Sequence, residues 1–166
     1  MAERLFPCRP IELDEFDSLP IVLKVSREFP LTPAQLFDSF ERGQDWIDWV
    51  PILNGVTWTS PKPHAVGTMR TVYLAGGVEG LEEFIAWESQ RRMAFRFTDS
   101  SLKALQALGE DYRVQETADG CRLEWTMAID MKGPLGWVVK LLRPVVRRNL
   151  QRYLVDLEAL LLKRYS

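Results

Sequence analysis

The 166-residue chain is 46% hydrophobic and 27% charged, with a formal net charge of −2 at pH 7. Those values describe one globular domain with a proper core and argue against a nucleic-acid-binding surface. No stretch approaches the roughly 18 uninterrupted apolar residues of a membrane span.

Residues 1–20 read as an extension, an arm or an added edge strand, ahead of a single domain over 21–166. The opening MAERLFPCRP lacks the apolar core of a signal peptide. Cys8 and Cys121 lie far apart without metal-ligand spacing, so a reduced, cytoplasmic protein without metal or cofactor is expected. IVLKVSREF, from Ile21 to Phe29, reads as a strand. Thr32 is a suitable N-cap and Pro33 suits the first helical position, so a short helix runs to Phe40 and ends at Gly43. A second helical turn holds Trp46, Ile47, Trp49 and Val50 and is broken by Pro51.

From Val56 the pattern becomes strands separated by turn residues: VTWTS, TMRTVYL, LEEFIAW, RMAFRFT, EDYRVQET and CRLEWTMAIDM. DSSLKALQALG, between the fourth and fifth of these, reads as a connection. Met93, Phe95 and Phe97 share one face of their strand, and Leu123, Trp125 and Met127 share one face of theirs. One apolar and one polar face per strand is the pattern of an antiparallel sheet covered on one side. Gly133-Pro134 then launches a helix over Leu135–Arg164, roughly 45 Å long at 1.5 Å per residue. Pro144 is expected to kink it. A curled seven-stranded sheet has only this helix to wrap around, which gives an α+β architecture.

In this order the chain resembles the helix-grip superfamily, which holds the START, Bet v 1-like and polyketide cyclase/dehydrase-like (SRPBCC-type) proteins. The resemblance spans about Ile21 to Tyr165. It rests on the strand followed by Pro33-Ala-Gln-Leu-Phe-Asp, on Trp46-Ile-Asp-Trp49-Val-Pro51, and on Val66-Gly67-Thr68. Trp87 to Phe95 and Gly133-Pro134-Leu135-Gly136 complete it. It implies a cavity between sheet and helix that takes a lipid-, quinone- or polyketide-like molecule. It implies no particular reaction.

Six Trp and eight Phe exceed what a fold of this size needs, and aromatic and Met side chains commonly line such pockets. The expected lining comprises Trp49, Met69, Tyr73, Met93, Phe95 and Phe97 from the first half of the chain. Tyr112, Val114, Trp125 and Met127 continue it, facing Val138, Leu142 and Val145 of the long helix. Arg70, Glu82 and Glu83 are the candidate polar groups inside; alternation allows at most one of the two glutamates to point inward. An inward Arg70 would replace Met69 and Tyr73 as the inward set of its strand. Trp46 and the lone His64 are candidates for the pocket mouth. No catalytic residue is assigned. Non-catalytic binding or transfer of an apolar ligand is the leading expectation, a polyketide cyclase/dehydratase-like enzyme the rival, and a partner- or membrane-binding module the third. For the third, Lys140, Arg143, Arg147, Arg148 and Arg152 form a basic run suited to an anionic membrane surface or an acidic partner.

Overall fold

A computed structural model describes residues 4–166, so the first three residues of the expected arm lie outside the described residues. The alternating runs pair into one antiparallel sheet. Its strands are β2 (Ile21–Phe29), β3 (Leu53–Trp58), β4 (Met69–Leu74), β5 (Val78–Glu88), β6 (Arg92–Ser100), β7 (Leu105–Thr117) and β8 (Gly120–Met131). Their spatial order is β2-β8-β7-β6-β5-β4-β3, so every hairpin neighbour in sequence is a neighbour in space and β2 closes on β8. β7 starts earlier than the sequence suggests. Leu105 to Gly109, expected within a connection, pairs with Met131 to Ala128 of β8. Ala107 and Gly109 carry weak strand preference, and here the ladder overrides it.

Between β2 and β3 lie α1 (Pro33–Glu41) and α2 (Gly43–Trp49). Thr32 caps α1 as expected: Gln35 N donates to its hydroxyl at 3.2 Å, and Thr32 N donates to the Gln35 side chain at 3.0 Å. The Trp46 indole N–H donates to the Phe40 carbonyl at 2.9 Å, which ties the two short helices together.

The expected single rod is two helices, α3 (Gly133–Leu141) and α4 (Arg143–Tyr165). Pro144 has no N–H and its ring crowds the Lys140 carbonyl, so Leu142 leaves helical geometry at φ −85°, ψ 8°. α4 is the gripped element. Leu150, Leu154, Leu157 and Leu161 are buried along one stripe against the sheet, each worth roughly 1.5–3 kcal/mol. Arg27 of β2 pairs with Glu158, and Arg164 clamps Asp45 of α2 with two 2.7 Å hydrogen bonds.

The sheet is not bare on its other face. Phe6–Pro7, β1, pairs with β6 at Ser100 and Asp99. β6 and β7 pair with each other only between Arg92–Arg96 and Arg113–Gly109 and then separate. The arm fills the seam: Cys8 N donates to Thr98 O of β6 at 2.9 Å, and Arg9 N donates to Gln106 O of β7 at 2.7 Å. It continues as a 3-10 turn over Leu13–Ser18, burying Ile11, Phe16 and Leu19 against Ala107 and Ala128. The seat consists of small residues because Phe16 sits directly on Gly109, where a Cβ would come within 2.4 Å of the ring. Cys8 and Cys121 are both free and buried, and burial pushes both thiols up to about 11.

Candidate functional site

Curling the sheet around α4 leaves an internal cavity of about 160 Å³. Its apolar wall comes from Val72 of β4, Phe95 and Phe97 of β6, Leu105 and Leu108 of β7, Met127 and Met131 of β8, and Leu150 of α4. Trp46 and Trp125 cover one end, and Tyr153 of α4 faces it from the helix side. A hollow of about 440 Å³ outside the sheet, between the arm and β2, is open to solvent and edged by charges such as the Lys24–Asp17 pair at 2.7 Å.

Of the polar side chains that line this apolar space, Arg70, Glu82, Glu110 and Tyr112 are accompanied by Ser100 and Tyr153. In β4 the inward residues are Arg70, Val72 and Leu74, so the pairing of Arg70 with Glu82 on β5 falls inside the sheet. Arg70 is 1% exposed and forms a buried ion pair with Glu82 through Nε. Its guanidinium is walled by aromatic rings, with Cζ 4.3 Å from the ring centre of Trp46 and 4.7 Å from that of Phe95. Phe84 and Trp58 add further rings at 5.1 and 5.3 Å. Its Nη1 is buried and has no hydrogen-bond partner among the described residues. Across the cavity, Glu110 Oε2 accepts from the Tyr112 hydroxyl at 2.5 Å and from the Trp125 indole N–H at 3.0 Å.

Burial dominates the acid–base behaviour of this cluster. It pushes the Glu110 carboxyl up to about 7, with the Glu82 charge adding to the rise and the Tyr112 hydrogen bond opposing it. It raises Glu82 above the ordinary carboxylate range, partly offset by Arg70. Burial and the adjacent Glu110 hold the Tyr112 phenol well above its usual value. A carboxyl that titrates near neutrality, surrounded by apolar walls, can hold a proton or release it at little cost.

Of the residues expected at the site, the cavity holds Phe95, Phe97, Tyr112, Trp125, Met127, Arg70, Glu82 and also Trp46, which lines the interior and not a mouth. Trp49, Met93 and Val114 are buried but pack in the core beside it, Trp49 with its ring centre 5.1 Å from that of Trp46. Met69 and Tyr73 lie on the outer face of β4, since Arg70 is the inward residue. Glu83 also faces outward and pairs with Arg96 at 3.2 Å. His64 stacks on Trp58 at 3.9 Å and lines a separate surface hollow with Glu41, Lys62 and Trp87. Burial lowers its pKa, with the Glu41 charge opposing the shift.

Val138, Leu142 and Val145 do not face the sheet; they are 48%, 44% and 54% exposed. Within α4, stepping back from Leu150 at about 100° per residue puts Val146 near the buried stripe and Val145 well to the side. Val139 and Val146 are the partly buried pair. Glu110 is the residue that the sequence reading missed. It stands two positions before Tyr112 on the same strand, so the alternation that turns Tyr112 inward turns Glu110 inward as well.

Comparison with known proteins agrees with this architecture. The polyketide cyclase / dehydrase and lipid transport family model matches residues 20–161. The uncharacterized protein Rv2574 of Mycobacterium tuberculosis (strain ATCC 25618 / H37Rv) is 41% identical over 153 residues, covering 92% of both chains. The uncharacterized protein Mb2604 of Mycobacterium bovis matches equally. Among solved structures, TTHA0849 from Thermus thermophilus superposes with a TM-score of 0.72 at 17% identity, covering 88% of this chain and 100% of that one. A START superfamily protein from Mycobacterium smegmatis superposes at 0.68 with 11% identity, covering 86% and 97%. With a helix-grip fold and a family match over most of its length, the chain belongs to the polyketide cyclase / dehydrase and lipid transport family.

Proposed function

We propose that the protein binds, and holds or transfers, a small hydrophobic or amphipathic molecule of lipid-, quinone- or polyketide-like character in the cavity between sheet and α4. The observation that carries this reading is a largely apolar space of about 160 Å³ between the sheet and α4. A void near 150 Å³ admits about one benzene ring, whereas common ligand pockets run to roughly 300–1,000 Å³. The cavity as it stands takes a single ring, and a longer ligand enters only by widening it. Native mass spectrometry of the purified protein, followed by solvent extraction, tests the reading: a stoichiometric small molecule is the expected result. Leu108→Trp fills the cavity and is expected to abolish its retention. If Leu108→Trp retains the same molecule, the ligand sits elsewhere and the reading fails.

A cyclase/dehydratase-like enzyme is the second reading, supported by the convergence of Arg70, Glu82, Glu110 and Tyr112 on one space. In it, Glu110 donates and recovers a proton on a bound chain. Chemical change of a bound polyketide-like chain that is lost in Glu110→Gln, with binding kept, would carry this reading. Recovery of unchanged ligand from both proteins favours the carrier.

The basic run supports a peripheral contact with an anionic membrane surface. Arg143 and Arg147 are turned to the sheet, donating to Val22 O at 3.4 Å and Lys24 O at 3.1 Å. Lys140, Arg148 and Arg152 are exposed, and Lys140 shares α3 with Trp137 and Leu141, 76% and 81% exposed. Apolar side chains flanked by cations fit the boundary between lipid headgroups and acyl chains better than an acidic protein surface.

A further inference from the structure

We infer that the cavity selects a neutral, ring-sized molecule bearing a hydroxyl or carbonyl oxygen, and discriminates against both hydrocarbons and carboxylates of the same size. This inference rests on the cavity-binding reading above and names the ligand chemistry within it. Size comes from the volume of about 160 Å³, room for one six-membered ring with a substituent. Polarity comes from the inventory of hydrogen-bonding groups that the protein leaves unmatched.

Arg70 lines the cavity, is 1% exposed, and has Nη1 without a partner. An unmatched buried donor costs about 1–3 kcal/mol, so a ligand that supplies an acceptor oxygen recovers energy that a hydrocarbon cannot. On the opposite side both hydrogen bonds of Glu110 fall on Oε2, which leaves Oε1 for the cavity. A ligand hydroxyl can meet that oxygen in either protonation state of the carboxyl, accepting from it or donating to it, whereas a ligand carbonyl meets it only when the carboxyl carries its proton.

Charge settles the remaining choice. The Arg70 cation is already committed to Glu82 through a buried ion pair. A carboxylate ligand would bring a further negative charge among Glu82 and Glu110, with no second cation among the described lining residues to meet it. Loss of its hydration would go unrepaid. Arg70 in isolation would suggest an anion site; Arg70 with two glutamates around the same space is a site for an uncharged dipole.

The test uses three probes built on one ring, phenol, toluene and benzoate, titrated into the intact protein at pH 7. Binding is followed by NMR shifts, with Leu108→Trp as the control for binding inside the cavity. Phenol is expected to bind about fivefold more tightly than toluene, although toluene gains more from leaving water, and benzoate more weakly than either. Replacing the pair together, Arg70→Met with Glu82→Leu, is expected to reverse the order of phenol and toluene. If that variant does not fold, the order in the unaltered protein still decides. Toluene equal to or tighter than phenol would overturn the inference while leaving the cavity reading intact. Benzoate as the tightest probe would overturn it in favour of an anion site. Absence of all three from the cavity would overturn the inference and the binding reading together.

Discussion

The two carboxylates and one guanidinium in the cavity respond to change as a set. Arg70→Met alone strands Glu82 as a buried charge and is expected to cost about 3–5 kcal/mol, read as a lowered urea midpoint. The double change Arg70→Met/Glu82→Leu removes both charges and is expected to recover most of that loss. If the double variant is as unstable as the single one, the pair is not what the loss reports. Glu110 makes a pH-dependent contribution of the opposite sense. Its carboxyl titrates at about 7 when folded and at an ordinary 4.5 when unfolded, so folding favours the protonated form. The resulting penalty is absent below about pH 4.5, grows as pH rises to 7, and levels off above at up to roughly 3 kcal/mol. Glu110→Gln is therefore expected to gain stability relative to the natural protein between pH 5 and pH 8. A constant difference across that window would show that Glu110 does not titrate near neutrality. The alternation that turns Tyr112 inward turns Glu110 inward too, but Glu110 opens the run EDYRVQET and so reads as a strand end, whereas the strand begins at Leu105 and places it mid-strand.

At the level of elements, the break at Leu142 decides what α3 does. A straight rod would carry α3 along the line of α4; the Pro144 break frees it from that line, and Trp137 and Leu141 face solvent. Because these side chains contribute little to the core, Trp137→Glu with Leu141→Glu is expected to leave stability within about 0.5 kcal/mol. The same change is expected to abolish co-sedimentation with vesicles containing anionic lipid. Equal recovery on zwitterionic vesicles, or no effect of the double change, would rule out this contact. Spacing of three and four residues was legible along the whole stretch, but it does not distinguish two overlapping stripes. Within α4 the phase carried back from Leu150 separates Val146 from Val145, and the break at Leu142 resets that phase for Val138 and Val139 of α3. The start of β7 was hidden for a different reason, since Leu105 to Gly109 is strand only because β8 lies beside it.

For the whole molecule, strand order, cap residues and the gripping helix could be read locally, because each depends on alternation, turn chemistry or helical spacing. The role of the arm could not, since its seat at Ala107, Gly109 and Ala128 lies about a hundred residues further along the chain. Phe16→Ala is expected to cost about 3 kcal/mol, as burial of a core phenylalanine implies. Gly109→Leu is expected to displace the arm and raise hydrogen exchange at Cys8 and Arg9. Unchanged protection at both amides would mean that the arm is held without Phe16.

The seam that this arm stitches runs between Phe97 and Ser100 on β6 and Leu105 and Leu108 on β7, and all four line the cavity. Cys8 and Arg9 thus bridge the two strands of that wall with backbone hydrogen bonds that belong to neither strand's own hairpin. How tightly a guest is held and how long it stays then become separate properties: the cavity lining sets the first and the stitched seam sets the second. A chain shortened by its first ten residues is expected to exchange a bound phenol faster on the NMR timescale while its Kd changes little.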